Sequence, residues 1–291
     1  MRLHSSGIAG VTVIGLIGAL AQPVALTTAT LPNRPDSVKF AVIGDNGTGG
    51  REQYEVGQQM ADARREFPYD LVLMLGDNFY GSQRPADLVK KFELPYKLLL
   101  EAGVRFQAAI GNHDEPDSVH YPPLNMGGRR YYTFARRNVR FFVLDTNALD
   151  PPQLRWLETE LKAAREAWKI SYFHHPLYSS VGRHGAAVDI RLLLEPLFLK
   201  YGVHVVFSGH DHAYERVKPQ HGIHYFVSGA GGKLRKGDLG RSEDTAVGFD
   251  QDQSFMLVEI GGDELFFQVV TRTGLTVDSG MIRRPTLRIG T

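Results

Sequence analysis

Leu73-Met74-Leu75-Gly76-Asp77-Asn78-Phe79-Tyr80 is an apolar run that stops at a glycine, followed by a carboxylate and, three residues on, a tyrosine. Four other apolar runs end in a similar polar cluster: at Gly44-Asp45, at Gly111-Asn112-His113-Asp114, at His174-His175 and at Gly209-His210-Asp211-His212. A short apolar run bounded by glycine reads as a buried strand. Each cluster therefore falls at the carboxyl end of an expected strand.

Working outward, strands are expected at residues 38–43, 70–75, 104–110, 131–134, 139–144, 168–173 and 203–207. Helices are expected at residues 52–66, 87–101 and 187–200, the last bent at Pro196, whose missing N–H cannot complete the ladder. Pro151-Pro152 opens a further helix, with Leu154, Leu157, Leu161 and Ala164 as its apolar face. Residues 223–282 read mostly as strands with glycine turns. Strands alternating with helices, then strands alone, predict an α/β core with a partly antiparallel completion. In open α/β sheets ligands sit beyond the carboxyl ends of the strands, where all five clusters fall.

Composition narrows the chemistry. The 291 residues are 43% hydrophobic, which allows a sizeable core. With 33 basic and 32 acidic residues the net charge is +1, and no basic excess argues for nucleic acid. No cysteine is present, which excludes disulfides, thiolate metal sites and cysteine nucleophiles. Arg2 and His4 precede an uncharged apolar segment, residues 8–21, that ends in the small-x-small site Ala19-Leu20-Ala21. This reads as a secretory signal peptide over residues 1–21 and implies an exported protein. Thr27-Thr28-Ala29 is a second candidate cleavage site. Residues 22–36 read as a linker and residues 37–291 as one catalytic domain, and no later segment is apolar enough to span a membrane.

Asp45, Asp77, Tyr80, Asn112, His113, His174, His210 and His212 make a mixed oxygen and nitrogen set without sulfur. Such a set suits Zn, Mn, Fe or Co and has too many imidazoles for calcium. Eight groups exceed one tetrahedral site and suit two ions sharing a carboxylate, an arrangement used by phosphatases, nucleases and aminopeptidases. Singly, an Asp after a strand reads as a helix cap and a tyrosine as a core residue. In this order, one site explains them all.

Asp-x-Gly, Gly-Asp-x-x-Tyr, Gly-Asn-His-Asp, a strand-ending histidine and Gly-His-x-His, in this order, resemble the binuclear metallophosphoesterases. The tyrosine of the second motif resembles the purple acid phosphatases, above all the small tartrate-resistant type. The resemblance runs from about Val38 to Arg283 and includes the Ser228-Gly229-Ala230-Gly231 turn. It implies a β-sandwich of two mixed sheets flanked by helices. It also implies a first metal held by Asp45, Asp77, Tyr80 and His212, and a second held by Asp77, Asn112, His174 and His210. By the same resemblance His113 protonates the leaving oxygen, oriented by Asp114, and His184 lines the substrate pocket. The family's usual Val-x-x-His is here Ser171-Tyr172-Phe173-His174, and Pro176 favours His174 over His175 as the ligand.

The implied cofactors are Fe(III) at the Tyr80 site and Fe(II), Zn or Mn at the second. Asp45, Asp77 and a tyrosinate against five positive charges, with a bound hydroxide, leave about +1 for an anionic phosphoryl group. The implied activity is acid phosphatase hydrolysis of small phosphate monoesters by a metal-bound hydroxide. A phosphodiesterase on the same site, or a secreted phosphate- or metal-binding protein without turnover, are the alternatives. Gly229-Ala230-Gly231-Gly232-Lys233 is not a P-loop, because Leu234 stands where Ser or Thr is needed. Lys233, Arg235 and Lys236 are expected on a solvated loop.

Overall fold

The computed structural model describes residues 30–284. The expected signal peptide, its cleavage sites and most of the expected linker lie outside the described residues. The end of that linker is tied down: the backbone amides of Asn33 and Arg34 both donate to the Glu259 carboxylate at 2.6 Å.

Strand β1 (Val38–Ile43) leads through α1 (Arg51–Glu66) to β2 (Leu71–Met74). The expected helix over 87–101 is broken. It consists of α2 (Pro85–Leu88), a π-helical turn (Val89–Glu93) and α3 (Lys97–Glu101). Pro95 has no N–H to continue the ladder. Strand β3 (Arg105–Ala108) follows, then the hairpin β4 (Tyr132–Arg136) and β5 (Val139–Val143). Helix α4 (Pro151–Ala163) starts at Asp150, whose side chain accepts from the Gln153 amide, and has Pro in its first turn. Strand β6 (Trp168–Phe173), α5 (Val188–Tyr201) and β7 (Val205–Ser208) complete the alternating part. Six strands close the chain: β8 (Tyr214–Val217), β9 (His224–Ser228), β10 (Thr245–Phe249), β11 (Ser254–Gly261), β12 (Glu264–Thr271) and β13 (Thr276–Arg283).

These strands form two mixed sheets, ordered β13-β12-β11-β1-β2-β3 and β10-β8-β9-β7-β6-β5-β4. Strands β1, β2 and β3 are parallel in the first sheet, and β5, β6, β7 and β9 in the second. The sheets pack face to face. Phe40 of β1 meets Phe141 of β5 and Phe207 of β7 edge-on at 5.5 and 6.3 Å, and Phe226 of β9 meets Phe267 of β12 at 5.1 Å. A second cluster packs Leu157 and Leu161 of α4 and Leu194 and Phe198 of α5 on the outer face of the β5–β6–β7–β9 region. Parallel strands buried on both faces need continuous apolar runs, which is why those runs were visible in the sequence. The sandwich flanked by helices is the architecture that the resemblance implied.

Candidate metal centre

The carboxyl ends of β1, β2, β3, β6 and β7 point to one edge of the sandwich. Three of the residues there leave the ordinary backbone regions: Asp45, Asp77 and His210 have φ of 55°, 51° and 69°. Left-handed backbone is costly for such residues, and functional sites are where it concentrates. Two glycines make the convergence possible. A Cβ on Gly111 would lie 2.1 Å from the Asp77 nitrogen, and one on Gly209 would lie 2.5 Å from the Asp45 carboxylate. The strand ends approach too closely for any larger residue.

The side chains fall into two groups. Asp45, Asp77 and His212 offer one ligand atom each within 4.8 Å of one another, and so do His174, His175 and His210. The Tyr80 hydroxyl donates to Asp45 at 3.0 Å and lies 3.2 Å from His212 Nε2. His174 Nε2 lies 2.9 Å from Asn112 Oδ1, 3.1 Å from His210 Nδ1 and 3.3 Å from Asp77 Oδ1. Asp77 thus stands between the groups. His174 Nδ1 faces the Leu75 carbonyl at 3.0 Å, which leaves Nε2 for the centre. His175 instead turns Nδ1 to the Thr146 hydroxyl at 2.9 Å, and its ring lies 4.5 Å from that of His210. The geometry therefore favours His174 as the inner residue of the doubled pair, with His175 beside it.

The electrostatics fit cations. Asp45 is fully buried, and burial, then the neighbouring Asp77 charge, hold its carboxyl well above the usual range. Among the described residues, Asp45 and Asp77 make no ion pair with Lys or Arg within 4.0 Å; only His212 and His174 face them. Burial, followed by the His175 charge, pushes His174 far down. Burial brings His210 down to about 2 and His212 to about 4. Burial and both carboxylates push the Tyr80 phenol up. Clustered neutral imidazoles, buried carboxylates with no Lys or Arg at ion-pair distance and a phenol against them are a donor set that divalent and trivalent ions satisfy.

The remaining expected residues are placed as follows. His113 is exposed at the rim, its ring 4.8 Å from that of Tyr80. Its amide donates to Asp77 at 2.9 Å. His184 lies with its ring 4.3 Å from His210. Asp114 does not touch the His113 imidazole. Its carboxylate accepts from the amides of Gly111 and Phe79 and from the Asn78 side chain, at 2.8 to 2.9 Å. Asp114 therefore fastens the loops after β2 and β3 together and does not orient His113. A sixth strand end went unread: β5 runs into Asp145-Thr146, and Thr146 holds His175. The run at residues 139–144 stopping at Asp145 was its signal. A cavity of about 520 Å³ opens beside the centre, lined by Asn112, Arg130, Thr146, Asn147 and His175 among others.

Two sheets with parallel strands aimed at a paired donor set define a metal-dependent phosphoesterase scaffold. The calcineurin-like phosphoesterase family matches residues 38–214, more than half of the chain, and the chain belongs to that family. It is similar to purple acid phosphatase 17 of Arabidopsis thaliana, 28% identical over 70% of this chain and 71% of that protein. It is also similar to tartrate-resistant acid phosphatase type 5 of Mus musculus, 26% identical over 83% of this chain and 92% of that protein. Among solved structures, the purple acid phosphatase PPD1 from yellow lupin (Lupinus luteus) seeds matches at a TM-score of 0.69 and 18% identity, over 90% of this chain and 58% of that one. GAP50, described as the anchor in the inner membrane complex of Plasmodium, matches at 0.74 and 17%, over 87% and 90%. At those identities the two structures speak for the fold alone. The resemblance read from the five motifs is borne out at the level of the family.

Proposed function

We propose that this chain is an exported acid phosphatase that hydrolyses small phosphate monoesters at a binuclear metal centre. The observation that carries this reading is the position of Asp77, one of the Asp45–Asp77–His212 group and 3.3 Å from His174 of the other. A carboxylate so placed is what a shared ligand between two ions requires. In this reading Asp45, Asp77, Tyr80 and His212 hold Fe(III), and Asp77, Asn112, His174 and His210 hold Fe(II), Zn or Mn. When bound, the ions supply Lewis acidity toward the phosphoryl oxygens and a water acidified toward neutrality.

The chain's own groups supply the rest. His113, at the rim beside Tyr80, is free to give its proton to the leaving ester oxygen. His184, against His210, faces the transferred phosphoryl group and steadies its charge. Its imidazole and that of His113 are both accessible from solvent. Burial of Asp45, Asp77 and His174 keeps bulk water from the ligand atoms and strengthens every charge interaction there. No serine or cysteine nucleophile is needed.

The deciding experiment pairs metal analysis with visible spectra of wild type and Tyr80→Phe. Two ions per chain, iron among them, and a broad visible band lost in Tyr80→Phe are expected. Two zinc or manganese ions without a band would overturn the Fe(III)–tyrosinate assignment, and metal content near zero after reconstitution would overturn the hydrolase. Faster turnover of phosphodiesters than of monoesters would move the reading to the diesterase. Export rests on residues 1–21, and N-terminal sequencing of protein recovered outside the cytoplasm tests it. A mature chain that still begins at Met1 would sink the cleaved signal.

A further inference from the structure

The loop after β9 carries Lys233, Arg235, Lys236 and Asp238, none of which is an expected ligand of the metal centre. It is seated on the centre through its backbone: Gly231 N donates to Gly44 O at 3.0 Å, Lys233 N to Asp45 O at 2.9 Å and Arg235 N to His212 O at 3.1 Å. A Cβ on Gly232 would lie 2.4 Å from the Asn46 carbonyl, so only glycine permits this seating. The same loop is stapled to the one after β6. Gly182 N donates to Asp238 O and Gly240 N to Ser180 O, both at 2.8 Å, and Asp250 holds Gly237 N at 2.8 Å. Arg183 and His184 are thereby fixed on the same wall as Lys233 and Arg235.

Among the described residues the cations of this wall make no ion pair within 4.0 Å. Lys233 Nζ stands 4.9 Å from the Tyr80 ring centroid and makes no hydrogen bond or ion pair among the described residues. Arg235 Nη1 is buried with no acceptor. Asp238, the nearest acid in the loop, does not pair with Arg235, and one of its own carboxylate oxygens is buried without a donor. Unsatisfied buried donors are rare in folded proteins. An anion that arrives with the substrate removes that cost. Lys233 and His113 both lie against Tyr80, so that anion belongs on the side from which the leaving group departs.

We propose that Lys233 and Arg235, with Arg183 at the rim, form a second anion subsite that reads an acidic group on the leaving portion of the ester. The preferred substrates are then phosphate monoesters that carry a further carboxylate or phosphate. This inference rests on the phosphatase reading for its chemistry, but its test does not depend on turnover. Calorimetry on the metal-loaded protein compares 2-carboxyethylphosphonate with propylphosphonate, which share the phosphonate and differ in the second anion. Wild type should bind the carboxylated compound about tenfold tighter, as charge-assisted hydrogen bonds allow. Lys233→Ala and Arg235→Ala should bring that ratio toward one, Lys233→Arg should keep it, and added salt should shrink it. A ratio near one in wild type, or a ratio unmoved in variants with wild-type melting temperature, overturns the subsite. Equal weakening of both compounds would place the cations on the shared phosphoryl group and overturn it as well. Failure of wild type to release phosphate from glycerol 3-phosphate would count against the phosphatase reading, and leave the binding ratio to decide the subsite. If the subsite holds, kcat/KM for 3-phosphoglycerate over glycerol 3-phosphate, and for fructose 1,6-bisphosphate over fructose 6-phosphate, identify which second anion is preferred.

Discussion

At the scale of single residues, Asp114 and His113 adjoin in sequence yet do different work. His113 is accessible and beside Tyr80, whereas Asp114 is buried and its carboxyl, pushed up to about 7 by burial, accepts from three donors. His113→Ala should lower kcat on poor leaving groups by ~10²- to 10⁴-fold and leave metal content intact; a loss of metal would show it to be structural. Asp114→Asn points an amide at those donors. It should cost about 1–3 kcal/mol of stability, read by urea unfolding, and more than it costs in proton transfer. The sequence made every expected ligand legible, because each stands where an apolar run stops. Of the doubled pair it favoured His174, through Pro176, without showing what separates the two rings. Their separation depends on the Leu75 carbonyl, which takes one ring nitrogen of His174, and on Thr146, which takes one of His175; both follow the ends of other strands.

At the scale of elements, the break in the expected helix over 87–101 has a use. The π-helical turn buries Lys91, whose ammonium donates to the carbonyls of Tyr80, at 2.7 Å, and of Ser82. Its own carbonyl accepts from Gln53 of α1 at 2.6 Å. A π turn shifts register and is found at functional sites. Here it clamps the loop that carries Tyr80. Lys91→Met should cost about 1.5–3 kcal/mol, the range for hydrogen bonds to a charged group, and loosen Tyr80, seen as a broadened visible band in the iron-loaded protein. Periodicity showed a helix there but could not show one extra residue in a turn. At the opposite end of the strands, His204 opens β7 and accepts from the Lys169 amide at 3.2 Å. Burial, with Arg284 next, pushes it from 6.5 to about 4. A histidine depressed in the folded state contributes stability above pH 6.5 that is lost as pH falls toward 4, because only the unfolded chain takes up the proton. Solvent-screened, the slope is at most about 1.4 kcal/mol per pH unit. Unfolding of His204→Gln between pH 7 and pH 5 should be flatter than that of wild type.

At the scale of the whole molecule, the expected ligands come from both sheets: Asp45, Asp77 and Asn112 follow strands of one, His174, His210 and His212 strands of the other. Metal held by these residues would tie the sheets together. Chelation should lower the melting temperature, by an amount set by about 2.7 kcal/mol for each site held at a hundredfold excess over its dissociation constant. A melting temperature indifferent to chelator would mean that the ions do not bridge the sheets. Local pattern foretold an α/β core with antiparallel strands late. That the strands split into two facing sheets came only from the resemblance, since which strand neighbours which is decided by pairing across long stretches of chain. Among the described residues no helix is long and apolar enough to cross a membrane.

The pairing of β1 sets an order of events during synthesis. β1 lies between β2 and β11, with Val38 opposite Ile260. The strand that leads to Asp45 thus waits for more than two hundred residues to leave the ribosome before its second edge is closed. Every expected ligand is made by His212, yet the first sheet is unfinished until β11 arrives. A chain stopped just short of Ser254 has every expected ligand in its sequence but leaves that edge of β1 open, and metal analysis of such a chain is expected to find it empty.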